Sequence, residues 1–80
     1  MGDIDIRMRM GLRIKQLRAD AGMTQDRLAY SIDLSRSYLA EVETGRRNVS
    51  MVNVERICDG LGVTLEEFFS DELFSRPRAR

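Results

Sequence analysis

The chain has 80 residues, with 13 Lys and Arg balanced by 13 Asp and Glu, one cysteine and no histidine. That length fits one small domain whose core buries only a limited fraction of its surface. Cys58 alone cannot close an internal disulfide, and without histidine the commonest zinc or haem ligand is missing, so neither a metal centre nor another cofactor is expected.

Zero net charge counts at first against a nucleic-acid partner, because such domains are usually basic. The distribution answers the objection. Arg7, Arg9, Arg13, Lys15 and Arg18 form a run with no acid between them, Arg46 and Arg47 are adjacent, and acids gather late, from Glu55 to Glu72. A bipolar molecule can turn a positive face to phosphate and keep its acidic end away. No apolar run approaches a membrane-spanning length, the start lacks a signal-peptide core, and Ile6 stands where N-myristoylation needs Ser or Thr. With one unpaired thiol suited to a reducing compartment, the expected location is cytoplasmic, with no membrane partner.

Residues 1–7 show no useful period and are expected to be a flexible lead-in. From Met10 the apolar residues Met10, Ile14, Leu17 and Ala21 recur at helical spacing, and Gly22 supplies a left-handed end. Thr24 caps a second helix with Leu28, Ala29 and Ile32 on one face. Asp33 tolerates the backbone angle of a tight turn, and Ser35 caps a third helix with Leu39 and Val42 inward and Gly45 at its end. About three residues separate these two helices, which forces the steep crossing of a helix-turn-helix. After a loop over residues 46–49, Ser50 caps a fourth helix with Met51, Val54, Ile57, Cys58 and Leu61 inward. Thr64 and Glu67 make a capping box for a fifth helix with Leu65, Phe68, Phe69, Leu73 and Phe74, and Pro77 lies in a tail of residues 76–80. The expected fold is all-α, a compact bundle of about five short helices filling one domain over residues 8–75, with flexible termini.

In a helix-turn-helix the second helix of the pair enters the major groove of duplex DNA, led by its N-terminal residues. Here those residues are Ser35, Arg36, Ser37 and Tyr38. The alternative is an ordinary solvated helix face, and the short turn before the helix and the basic loop after it favour DNA. Arg36 is the first choice for base reading, because a guanidinium donates twice to guanine O6 and N7. Ser37 can meet a base or a phosphate. Tyr38 can contact a thymine methyl or a phosphate, or pack against the second helix. Glu41 can accept from cytosine N4, or pair with Arg36 and hold its fork. Phosphate contacts are expected to flank this helix, at Gln25, Ser35, Thr44, Arg46, Arg47, Asn48 and Ser50, where capping and turn formation are the competing roles.

The segments Met23-Thr24-Gln25-Asp26-Arg27-Leu28-Ala29, Leu34-Ser35-Arg36-Ser37-Tyr38-Leu39 and Glu43-Thr44-Gly45-Arg46-Arg47-Asn48 together resemble the lambda-repressor-like helix-turn-helix family, of the xenobiotic-response-element type. Leu61-Gly62-Val63 and Phe68-Phe69 extend the likeness, which spans roughly residues 8 to 74. The resemblance implies a lambda-repressor-like fold with the helix-turn-helix at helices two and three, in a bacterial, nucleoid-associated transcription regulator. It places the family's helix-opening glutamine at Gln25, and its structural ion pair at Arg18 and Glu43. The short chain, with Asn48, Ser50 and its paired aromatics, is most similar to the controller proteins of restriction–modification systems, which activate and repress. Asp26, at the start of helix two, is then a candidate contact for RNA polymerase or an acid complementing the helix dipole. Arg27 and Asp33 depart from the glutamate and glycine of many members, without threatening the fold.

An independent feature points to a homodimer. Leu65, Phe68, Phe69, Leu73 and Phe74 cover more than one face of a short terminal helix, and exposed apolar patches mark interfaces. Phe68 is expected to close the core while the others are shared with the partner. A two-fold dimer would set its reading helices about 34 Å apart, matching a pseudo-palindromic operator. A second reading is an antitoxin-like interaction module whose helical end wraps another protein, with secondary DNA binding. An enzyme is not expected, since the nucleophile, acid–base and phosphate-loop constellations are absent from the sequence.

Overall fold

The computed structural model describes residues 5–75. Five α-helices follow in order: α1 (Ile6–Asp20), α2 (Gln25–Ser31), α3 (Arg36–Glu43), α4 (Met51–Leu61) and α5 (Leu65–Phe69), then a single 3₁₀ turn over Glu72–Phe74. The all-α expectation holds, with no strand among the described residues. Each cap arises from the residue that the sequence offers. The side chains of Thr24, Ser35, Ser50 and Thr64 accept backbone N–H bonds from Arg27, Tyr38, Asn53 and Glu67, satisfying donors that a helix start leaves orphaned. Thr64 and Glu67 form the reciprocal capping box.

The start of α1 lies earlier than the apolar period suggested. Asp5 caps it, its carboxylate accepting from the Arg7 N–H at 2.7 Å, so Ile6 and Arg7 are helical rather than part of a lead-in. The signal was an acid ahead of the first turn, and it was masked because Ile6 and Met8 face solvent. Residues 76–80, including Pro77, lie outside the described residues.

The core is built by Met10 and Ile14 of α1, Leu28 and Ala29 of α2, Leu39 and Val42 of α3, Val54, Ile57 and Cys58 of α4, and Phe68 of α5. Every helix contributes, so none of them can dry its apolar face alone. Burial pushes the Cys58 thiol up from its ordinary pKa. The α1–α3 packing is close enough that the backbones nearly touch. A Cβ on Gly11 would lie 2.6 Å from the carbonyl oxygens of Val42 and Glu43, which explains a glycine in mid-helix. Between α2 and α3 the chain turns through Ile32–Ser35, with Asp33 at φ 59°, the only non-glycine residue of positive φ among those described. Asn and Asp are the usual non-glycine occupants of that region.

Three arginines fasten the ends of elements by donating to carbonyl groups that helices leave open. From α1, Arg13 donates to the carbonyls of Phe68 and Glu67, each at 2.7 Å, and to the Asp71 carboxylate at 3.1 Å. Arg18 donates to the Met23 carbonyl at 2.9 Å, and Arg56 of α4 donates to that of Ile32 at 2.8 Å. Arg7 pairs with Asp5, and Arg9 reaches the Leu73 carbonyl at 3.4 Å. The basic run of α1 is therefore largely engaged with its own chain. Its four arginines bind their own chain, and among the described residues only Lys15 of the run is exposed without such a contact.

At the centre sits Glu43, 1% exposed. Its Oε2 accepts from Arg18 Nε at 2.8 Å, while Oε1 accepts from Arg18 Nη2 at 2.9 Å and from Gln25 Nε2 at 2.9 Å. These bonds raise the Arg18 pKa against the opposing effect of its partial burial. The carboxylate thus joins α1, α2 and α3 at one point. Glu43→Ala should destabilise the fold by about 3–5 kcal/mol, because the Arg18 guanidinium is left in a half-buried site with no counter-charge. Urea denaturation measures it, and a loss near 1 kcal/mol would show the pair to be peripheral.

Candidate nucleic-acid interface

The polar face of α3 is aimed outward by its own apolar face. Leu39, Val42 and Glu43 are buried, which leaves Arg36 and Ser37 exposed at the leading turn and Tyr38 and Glu41 half-buried at its edge. Ser35 begins the helix, its Oγ accepting from the Tyr38 N–H at 3.0 Å, so its oxygen is occupied by capping.

Arg36 carries the most exposed guanidinium of this face, its side chain 67% exposed, and its Nε lies 2.7 Å from Oδ1 of Asp26 on α2, itself 73% exposed. The acid beside Arg36 is thus Asp26, not Glu41. Glu41 pairs instead with Arg47, whose Nη1 donates to Oε1 at 2.9 Å. The reason is geometric: Glu41 sits more than a turn along from Arg36, at the end where the chain returns through residues 46–48. The Arg47 guanidinium carbon also lies 5.0 Å from the centre of the Tyr38 ring, a cation–π contact. The Tyr38 hydroxyl accepts from Asn53 Nδ2 of α4 at 3.0 Å. Its ring packs against the core, to which α2 contributes Leu28 and Ala29, and its exposed side meets α4 and Arg47.

The flanking residues divide into two sets. Arg46 and Asn48 are exposed in the loop, and Ser50 is exposed but caps α4 through the Asn53 N–H at 3.1 Å. Thr44 turns its hydroxyl back on the carbonyls of Glu41 and Ala40, at 3.1 and 3.3 Å. Gln25 is half-buried and directs its amide nitrogen inward to Glu43. Sequence reasoning did not find Asn53 or Arg56, which form a polar path behind the face: Arg56 Nη1 lies 3.5 Å from Asn53 Oδ1. Neither residue belongs to the motif, and only the fold brings α4 against α3.

The aromatic end packs on its own chain. Phe68 is fully buried, as expected, and meets Phe69 edge-on at 4.9 Å between ring centres, while Phe69 and Phe74 meet at 5.0 Å. Leu65, Phe69, Leu73 and Phe74 remain half-exposed, but the fifth helix ends at Phe69 and Leu73 and Phe74 lie on the 3₁₀ turn capped by Asp71 rather than on that helix. More open apolar side chains stand nearby, at Ile6 and at Met51, which opens α4 with 59% of its surface exposed rather than facing inward as its spacing suggested. Ile6, Met10, Val49, Met51 and Phe69 line one shallow apolar depression.

Comparison with known proteins places this geometry. A family model described as a helix-turn-helix domain matches residues 9–68. The control protein C.MunI of a Mycoplasma species is 48% identical over 68 residues, which cover 84% of this chain and 92% of that protein. The crystal structure of the restriction-modification controller protein C.AhdI from Aeromonas hydrophila superposes with a TM-score of 0.76 at 38% identity, covering 80% of this chain and 97% of the other. The controller protein C.Esp1396I, solved as a tetramer in complex with its natural 35 base-pair operator, superposes with a TM-score of 0.81 at 33% identity, covering 90% and 93%. With the motif, the fold and the outward face of α3 all in agreement, the chain belongs to the helix-turn-helix family and, within it, to the restriction–modification controller proteins.

Proposed function

We propose that the chain is a sequence-specific transcription regulator that binds duplex DNA at a pseudo-palindromic operator as a homodimer, activating or repressing restriction–modification genes. The observation that carries this reading is α3 itself. Its leading residues Arg36 and Ser37 are exposed, while a buried carboxylate in its last turn ties it to two other helices. A reading element needs that combination of open side chains and a fixed axis.

In this reading Arg36 donates to a guanine and Ser37 contacts the neighbouring base, with Tyr38 and Glu41 at the groove edge. Arg46, Arg47 and Asn48 take phosphates beyond the helix end, and Ser35, Thr44, Ser50 and Gln25 support them, their side chains already engaged in caps and in the Glu43 node. The Asp26 carboxylate competes for the Arg36 guanidinium before DNA arrives, which leaves it a weaker candidate as a polymerase contact than as a holder of Arg36.

Selection of bound sequences from random duplexes tests the assignment. Arg36→Ala should lose preference at one base pair, by about 1–3 kcal/mol, and keep residual non-specific binding. Arg47→Ala should weaken every sequence alike and lower the slope of log affinity against log salt by about one unit. If Arg36→Ala instead weakens all sequences equally, Arg36 is a phosphate contact.

The two-fold partner is proposed to cover the apolar surface from Phe69, Leu65, Leu73 and Phe74 to the adjoining Ile6 and Met51. Met51 is 59% exposed and opens α4, where an acid suits the helix dipole, so Met51→Glu should fold normally. The expected result in analytical ultracentrifugation is a monomer where the parent is a dimer. A dimer of unchanged affinity would move the interface elsewhere.

A further inference from the structure

We propose that Asn53 is a positioning residue that fixes the direction of the Tyr38 hydroxyl proton, so that Tyr38 meets DNA only as a hydrogen-bond donor to an acceptor atom. The inference rests on the reading of Tyr38 as a DNA contact given above.

Arg56 has donors and no acceptor. Its Nη2 is anchored to the Ile32 carbonyl at 2.8 Å, and its Nη1 faces Asn53 at 3.5 Å. A cation beside a side-chain amide selects the amide oxygen, which settles an orientation that distance alone leaves open. Oδ1 of Asn53 therefore faces Arg56, and Nδ2 faces the Tyr38 hydroxyl at 3.0 Å. An amide nitrogen only donates, so the hydroxyl oxygen must accept from it. The phenolic proton then points away from Asn53 Nδ2, within the open depression that Tyr38 and Asn53 line together with Ser35, Ser37, Glu41 and Arg47. The ring packs against the core, with the Arg47 guanidinium over one face, which favours this placement of the hydroxyl.

A hydroxyl held this way can serve a phosphate oxygen, guanine O6 or N7, adenine N7 or thymine O4, and it meets the cytosine amino group with nothing to offer. A freely rotating hydroxyl would serve donors and acceptors alike. Asn53, which need not touch DNA, thus narrows what Tyr38 accepts as a partner.

The experiment is a double-mutant cycle on the full chain, using Tyr38→Phe, Asn53→Asp and the pair, with affinity measured for the selected operator. In Asn53→Asp the new carboxylate keeps the shape of the amide but can only accept, so it draws the phenolic proton inward. An acid in the first turn of α4 also suits that helix. Asn53→Asp is expected to cost about tenfold with Tyr38 present. In the Tyr38→Phe background only repulsion of the added charge by phosphate remains, and the expected cost is about two- to threefold. Operator variants separate the two acceptor sources: coupling confined to one base pair means a base edge, coupling on every sequence means a phosphate, and either supports the proposal. Equal cost of Asn53→Asp in both backgrounds overturns the positioning role while leaving Tyr38 a DNA contact. Unchanged affinity for Tyr38→Phe alone removes the contact itself, and the proposal with it.

Discussion

The orientation of α3 depends on one buried carboxylate. An isolated acid at the centre of so small a domain would be costly to desolvate, and Glu43 is tolerable only because both its oxygens are filled by Arg18 and Gln25. That condition also makes it directional. An apolar side chain in the same place would pack against many arrangements of α1 and α2, whereas a forked ion pair with a third donor accepts one. The close approach of Gly11 to the α3 carbonyls leaves no room for the helices to slide. Burial supplies the stability of the bundle, and the polar node supplies its geometry.

A second theme is the use of arginine as internal fastening. Short helices have as many unsatisfied terminal groups as long ones and fewer residues to compensate. Here Arg13, Arg18 and Arg56 reach across the fold to the ends of other elements, each donating to a main-chain oxygen. This explains how a molecule with 13 basic side chains and no net charge is assembled. Several cations are part of the architecture, and among the described residues those left outside are Lys15 on α1 and, around α3, Arg27, Arg36, Arg46 and Arg47.

What the sequence conveyed, it conveyed through local chemistry. Caps at Thr24, Ser35, Ser50 and Thr64, the left-handed positions at Gly22, Gly45 and Gly62, and Asp33 in the turn are decided by residues near in the chain, and they were legible. The ion pair of Arg18 with Glu43 lies 25 residues apart and was reached only through the family resemblance. Charge patterning misled, because a linear run of cations carries no information about which way each side chain turns: Arg13 and Arg18 sit on the face of α1 that meets other elements. Asn53 and Arg56 were invisible for the same reason. Their role exists only once α4 lies behind α3, and neither residue type announces it.

The engagement of so many described cations at home has a consequence for how such a molecule would search a chromosome. Sequence-independent attachment to DNA grows with the number of phosphates that a surface can neutralise. Among the described residues the arginines largely hold their own chain and the open cations lie mostly around α3, so these residues give little attachment to arbitrary duplex. As far as these residues decide it, bulk DNA would be a poor sponge for the domain. Occupancy of the correct site would track the number of molecules made rather than the size of the genome competing for them.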